Sequence, residues 1–258
     1  MSLSEEQRSA VSPVQYARAI HCNNFEYMPQ VDPTTFVKTA KSDWDLRATK
    51  DPSLFVCAEH NASEKSLRDS GLGDTLREFV PRLKDYPHDT ILEIGCGMGR
   101  MSLFIADYAV RYYGVDISGK LIDIAMKRLT DYRVEHGTDG KVRYGSFLEI
   151  DGMSLGDAIP VDSVDFAFEY IVFQHISSEE VIKSYVRDVC RVLKLGGVFV
   201  LQGRDIYTGI GGASEGNTWH GCRLGPELIR EAIKGTPFVV VEEEGVGTER
   251  YWATLQKV

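Results

Sequence analysis

The chain lacks most of what marks a secreted, membrane-spanning or nucleic-acid-coating protein. Its five cysteines (Cys22, Cys57, Cys96, Cys190, Cys222) are an odd, scattered set with no C-x-x-C pair. That excludes a disulfide framework and offers no zinc site, so no metal is expected. Cys96 and Cys190 read instead as small packing residues. No apolar run approaches the roughly 20 residues that a membrane span needs, and the polar, acidic stretch from Ser2 to Gln7 is unlike a secretory signal. Positive charge is scarce too: 29 Lys and Arg stand against 38 Asp and Glu, a net charge of -9. Tracking phosphates takes clustered cations, so no nucleic-acid partner is expected. Repeats and low-complexity tracts are absent. The expected setting is a reducing cytoplasm, away from membranes.

What is present suits an ordinary globular protein. The 258 residues, 43% of them hydrophobic and 26% charged, can bury one large core. Residues 1–87 carry helix-like segments broken by Pro13, Pro29, Pro33, Pro52 and Pro87. From about Thr90 onward, strands and helices alternate. Strands are expected at Thr90–Ile94, Tyr112–Val115 and Val142–Tyr144, at Val164, Phe166 and Phe168 alternating with polar partners, and at Val198–Leu201. Helices are expected after the glycines, over Gly119–Tyr132, from the capping-box sequence Ser177-Ser178-Glu179-Glu180, and near Pro226–Ile233. Phe238–Val241 and Tyr251–Leu255 close the set as strands. Alternating units of this kind build a doubly wound, mostly parallel α/β sheet.

The chemistry concentrates in Ile91-Leu92-Glu93-Ile94-Gly95-Cys96-Gly97-Met98-Gly99-Arg100, followed by Gly114-Val115-Asp116-Ile117-Ser118. A strand, a glycine turn, a helix, a second strand and an acid place a carboxylate where a nucleoside ribose can meet it. Gly95, Gly97 and Gly99 follow G-x-G-x-G. The dinucleotide spacing would need glycine where Arg100 stands, so a nicotinamide cofactor is the weaker reading. The run resembles the first two motifs of the class I S-adenosylmethionine-dependent methyltransferases. Val192-Leu193-Lys194-Leu195-Gly196-Gly197 is similar to that family's turn before the fifth strand, with Leu195 in place of the usual proline. Val161–Phe166 and Val172-Phe173-Gln174-His175-Ile176 are similar to its fourth strand and the segment beyond. The resemblance covers about residues 88–258.

It implies a Rossmann-like, seven-stranded sheet with an antiparallel closing strand, S-adenosyl-L-methionine as cofactor, and S-adenosyl-L-homocysteine as product. Glu93 is then expected near the cofactor's amino group, Gly95, Gly97 and Gly99 against its backbone-facing side, and Asp116 with Ile117 at the ribose. Asp116 also reads as a helix N-cap, a role for which Ser118 competes. At the third-strand tip Gly145-Ser146-Phe147 replaces the family's usual aspartate, leaving Ser146 and Phe147 as candidate adenine contacts. Glu169 and Tyr170, beyond the fourth strand, are candidates for the cofactor or substrate. His220, in the glycine-rich stretch Gly209–Gly221, is the first candidate base; His175 reads first as packing and second as a base. The resemblance also makes residues 1–87 a helical cover over the active-site mouth, and Trp44-Asp45-Leu46-Arg47-Ala48 resembles a segment of small-molecule methyltransferases. The expected activity is methylation of an oxygen, nitrogen or carbon of a small molecule. Protein methylation, non-catalytic cofactor binding and NAD-linked oxidoreduction are the alternatives.

Overall fold

A computed structural model describes residues 32–136, 144–206, 218–219 and 221–258. The chain enters through helices whose ends are set by side chains. Asp32 caps α1 (Pro33–Lys50) by accepting from Thr35 N at 2.9 Å, with Pro33 in the first turn. Asp51 ends that helix and caps α2 (Pro52–Cys57) through Leu54 N at 3.2 Å. Ser63 opens α3 (Glu64–Asp74), and a π-helical turn (Thr75–Phe79) leads into α4 (Val80–Leu83).

The α/β part follows as β1 (Thr90–Ile94), α5 (Ser102–Ile105), β2 (Arg111–Asp116), α6 (Gly119–His136), β3 (Tyr144–Glu149), β4 (Val164–Glu169), α7 (Glu179–Val192), β5 (Leu193–Gly203), α8 (Pro226–Ala232), β6 (Phe238–Glu244) and β7 (Tyr251–Lys257). The sheet runs β3-β2-β1-β4-β5-β7-β6, parallel except for β7, which is antiparallel to both neighbours. This is the expected seven-stranded Rossmann-like sheet.

Successive strand residues feed opposite cores, as pleating requires. Leu92 and Ile94 of β1, with Phe199 and Leu201 of β5, join one core together with Phe36, Ala40 and the apolar face of α7. Ile91, Phe166, Phe168, Val198 and Val200 join the other with Phe79, Leu83 and Trp252. The helical segment from 33 to 83 thus contributes to both cores, α1 on one sheet face and Phe79 and Leu83 on the other.

Some elements differ from expectation. β4 is buried along its whole length instead of alternating, because helices cover both faces. Of its two buried carboxylates, Asp165 accepts from Lys194 Nζ at 2.8 Å and Thr90 N at 2.9 Å. Leu193 already pairs with Val164, and Lys194–Gly197 bulge out before pairing resumes at Val198. The capping box does not close: neither Ser177 Oγ nor Ser178 Oγ has a partner, although α7 starts where expected. β3 reaches further than expected, to Glu149. No helix among the described residues is long and apolar enough to cross a membrane.

Candidate active site

The carboxyl ends of β1, β2 and β4 open into one cleft, solvent-connected at its mouth. The point where strand order reverses, between β1 and β4, is where open α/β sheets bind ligands. Glu93 to Gly97 form its floor, Asp116 and Ile117 one end, Tyr170 to Val172 and His175 a wall, and Phe36, Ala40, Trp44, Phe55 and Val56 its roof.

The glycine turn is built by the chain's own geometry. Gly95, Gly97 and Gly99 have φ of 69°, 54° and 74°, left-handed values that L side chains rarely adopt. A Cβ on Gly95 would also lie 2.3 Å from Val172, whereas at Gly97 the nearest atom is 3.6 Å away, on Val56. Gly95 and Gly97 line the cleft; Gly99 turns inward against Ala125.

Asp116, buried at the end of β2, ties the turn to the acid. Its Oδ2 accepts from Gly97 N and its Oδ1 from Ser118 N, both at 2.9 Å. Ser118 takes the helix cap, its Oγ accepting from Leu121 N at 3.2 Å, which leaves Asp116 at the cleft. Burial pushes the Asp116 carboxyl up to about 6, against the pull of the two amides. Glu93 accepts from Ser102 Oγ at 2.6 Å and from the Tyr112 hydroxyl, and burial pushes it up to about 7.

Other candidates stand elsewhere. Ser146 and Phe147 lie inside β3, paired with Tyr113 and Gly114, and do not line the cleft. Phe147 packs over Gly114, where an added Cβ would sit 2.7 Å from its ring. The strand's longer run moves its tip to Glu149, and Ile150 and Gly152 take the cleft positions instead. Glu169 is fully buried below the cleft floor, accepting from the amides of Val172 and Phe173 at 3.1 Å and of Gln202. It holds the segment after β4 in shape; burial pushes it up to about 7. Tyr170 does line the cleft, with its ring stacked on Trp252.

His175 reaches the cleft wall as well as packing. Its ring lies 5.5 Å from Trp44 and 4.8 Å from Trp219, and Nδ1 is 2.5 Å from the Trp219 carbonyl. A carbonyl can only accept, so Nδ1 carries the proton and Nε2 is the acceptor, with the Gln174 amide at 3.3 Å. His220 lies outside the described residues.

Three features go beyond the sequence reading, which singled out Trp44 to Ala48 only as a resembling segment. Phe36, Ala40 and Trp44 recur every fourth residue and so share the cleft-facing side of α1, a signal that was legible. Arg47, on the same helix, spreads over the rings of Trp44 (4.7 Å), Phe55 and Trp219 (5.6 Å each) and donates to Thr218 Oγ1 at 2.9 Å. Ile171 adopts φ 61°, a strained state for a β-branched residue, directly at the cleft. Nothing in its sequence context announces that.

Comparison with known proteins agrees with this geometry. Residues 92–201 match the family model described as a methyltransferase domain. Among solved structures, the fold is shared with the Synechocystis PCC 6803 magnesium protoporphyrin IX methyltransferase with bound S-adenosylhomocysteine (17% identity, 85% of this chain, 97% of that one, TM-score 0.60). It is shared too with Haemonchus contortus phosphoethanolamine N-methyltransferase 1 (17%, 88% and 50%, TM-score 0.61). A third is a Methanosarcina mazei S-adenosylmethionine-dependent methyltransferase (17%, 70% and 98%, TM-score 0.55). By the family match, residues 92–201 are a methyltransferase domain, and the sheet order and glycine-turn-to-acid geometry agree with S-adenosylmethionine as its cofactor.

Proposed function

We propose that the chain methylates a small molecule bound beside S-adenosylmethionine in the cleft under α1 and α2. The observation that carries this reading is the coupling of turn to acid: Asp116 holds Gly97 N while facing the cleft from the end of β2. Asp116 would accept from the ribose hydroxyls, the glycine turn would take the amino-acid end, and Ile117, Ile150 and Gly152 would flank the adenine. Similar structures bind S-adenosylmethionine or its product, which supports the same cofactor here.

Bound S-adenosylmethionine supplies a methyl group already activated on a sulfonium. The protein's task is then to align the acceptor and keep water out. The roof of Phe36, Ala40, Trp44, Phe55 and Val56 serves that task, and it favours a small acceptor over a protein segment. For a hydroxyl acceptor, His175 is the proposed base. Nδ1 is fixed as donor by the Trp219 carbonyl, so Nε2 is the nitrogen that would take the proton once the acceptor hydroxyl displaces the Gln174 amide from it. For an acceptor that carries no proton to lose, alignment alone suffices.

Calorimetry tests the cofactor class. S-adenosylhomocysteine should bind the full chain saturably, with no heat from NADH. NADH binding without S-adenosylhomocysteine binding would overturn the reading in favour of an oxidoreductase.

A further inference from the structure

The cleft's roof and far wall are unusually rich in rings, and its charges are unevenly committed. Trp44, Phe55, Tyr170 and His175 all line it. Trp44, Phe55 and His175 also belong to one cluster with Trp219, whose ring lies 6.4 Å from Trp44 and 5.9 Å from Phe55. Among the described residues, the one lysine or arginine in the lining is Arg100. It is tied to Asp74 at 2.6 Å and Ser70 Oγ at 2.9 Å. The next cation, Arg47, lies behind the roof with its charge on three ring faces and on Thr218. The carboxylates Glu93 and Asp116, by contrast, both face the cleft.

We propose that the acceptor is an uncharged molecule with a planar aromatic ring, held between Trp44, Phe55 and the Ile171–Val172 wall. This deepens the reading of the cleft as a methyl-transfer site and rests on it. A flat ring gains face and edge contacts from the roof that an aliphatic chain does not. A phosphate or carboxylate on the acceptor would be desolvated against apolar and aromatic walls, with the charges of Arg100 and Arg47 already set against Asp74 and the ring faces, which is a heavy penalty. A protonated amine has no lone pair to receive a methyl group. The polar feature that suits a neutral ring is His175, whose Nε2 would take a ring hydroxyl in place of the Gln174 amide. Ile171 fits the same picture: its strained backbone keeps an apolar side chain at the wall where glycine would relieve the strain.

The test is calorimetry on the full chain, first with S-adenosylhomocysteine and then, on the saturated complex, with three probes: 2-naphthol, 2-naphthyl phosphate and phosphoethanolamine. The expected result is that 2-naphthol binds, its phosphate binds at least tenfold more weakly, and phosphoethanolamine gives no heat. Phe55→Ala should weaken 2-naphthol at least tenfold and leave S-adenosylhomocysteine affinity within twofold. Equal or tighter binding of either phosphate, no binding of 2-naphthol to the saturated complex, or an unchanged 2-naphthol affinity in Phe55→Ala would each overturn the proposal while leaving the methyl-transfer reading in place. Failure of S-adenosylhomocysteine itself to bind would overturn both.

Discussion

Asp116 is at once a structural acceptor for two amides and the carboxylate offered to the ligand, and burial makes its charge expensive. Its carboxyl titrates near 6, so S-adenosylhomocysteine affinity should fall as pH drops through about 6. Calorimetry at pH 5 and pH 7.5 would show it, and Asp116→Asn should flatten the dependence. For a hydroxyl acceptor, His175→Gln should lower turnover by roughly 10²–10⁴-fold with S-adenosylhomocysteine affinity nearly unchanged. A fall in melting temperature with turnover intact would return His175 to a packing role. Ile171→Gly should raise stability by about 1 kcal/mol through strain relief, while raising the acceptor KM by loss of the wall. At this scale the sequence was readable where backbone conformation dictates residue type, as at Gly95 and Gly97. It was misleading where a carboxylate at a strand end could face either way. Glu93 faces the cleft and Glu169 faces buried amides, and both look alike in one dimension.

α1 is the element that makes the glycine turn into an enclosed cleft. One side supplies Phe36, Ala40 and Trp44; the polar side is pinned by Lys41 to the Ile117 carbonyl at 3.2 Å and by Ser118 Oγ donating to Asp45 at 2.6 Å. Arg47 makes the third attachment, through Thr218 and the aromatic faces. Arg47→Met keeps the stem but removes the charge and its hydrogen bond, a loss of about 1–3 kcal/mol. The acceptor KM should rise and kcat should hold, with S-adenosylhomocysteine affinity within twofold, as steady-state kinetics and calorimetry would report. Loss of S-adenosylhomocysteine affinity would mean that this attachment shapes the cofactor end instead. The strands and long helices were legible because their apolar periodicity is strong, as along Val181, Ile182, Tyr185, Val186 and Val189 of α7. The tip of β3 was not, because mid-strand Ser146 and Phe147 have no local mark separating them from a terminus.

Across the whole molecule, three buried carboxyls set the pH response. Glu93 and Glu169 are raised to about 7 and Asp116 to about 6, all chiefly by burial. Between about pH 4.5 and 7 the folded chain therefore holds protons that the unfolded chain has released, and stability declines as pH rises. Asp51, lowered to about 2, acts in the opposite sense, and its contribution is already complete above about pH 5. The apoprotein's melting temperature should thus be lower at pH 7.5 than at pH 5, with a shallower slope in Glu169→Gln; a flat wild-type profile would contradict the burial account. The sheet order and its cofactor edge were legible because four motifs recur in fixed order along the chain. The contacts that build the roof were not legible, since the pairing of α1 with Thr218 spans 171 residues. The central claim is that the cleft is organised around Asp116 as the receptor for S-adenosylmethionine's ribose. Calorimetric titration of Asp116→Ala with S-adenosylhomocysteine tests it most directly. The account predicts a folded variant whose affinity falls by about 1.5–3 kcal/mol for each charged hydrogen bond lost, more than tenfold in total. Wild-type affinity in a folded Asp116→Ala would contradict it.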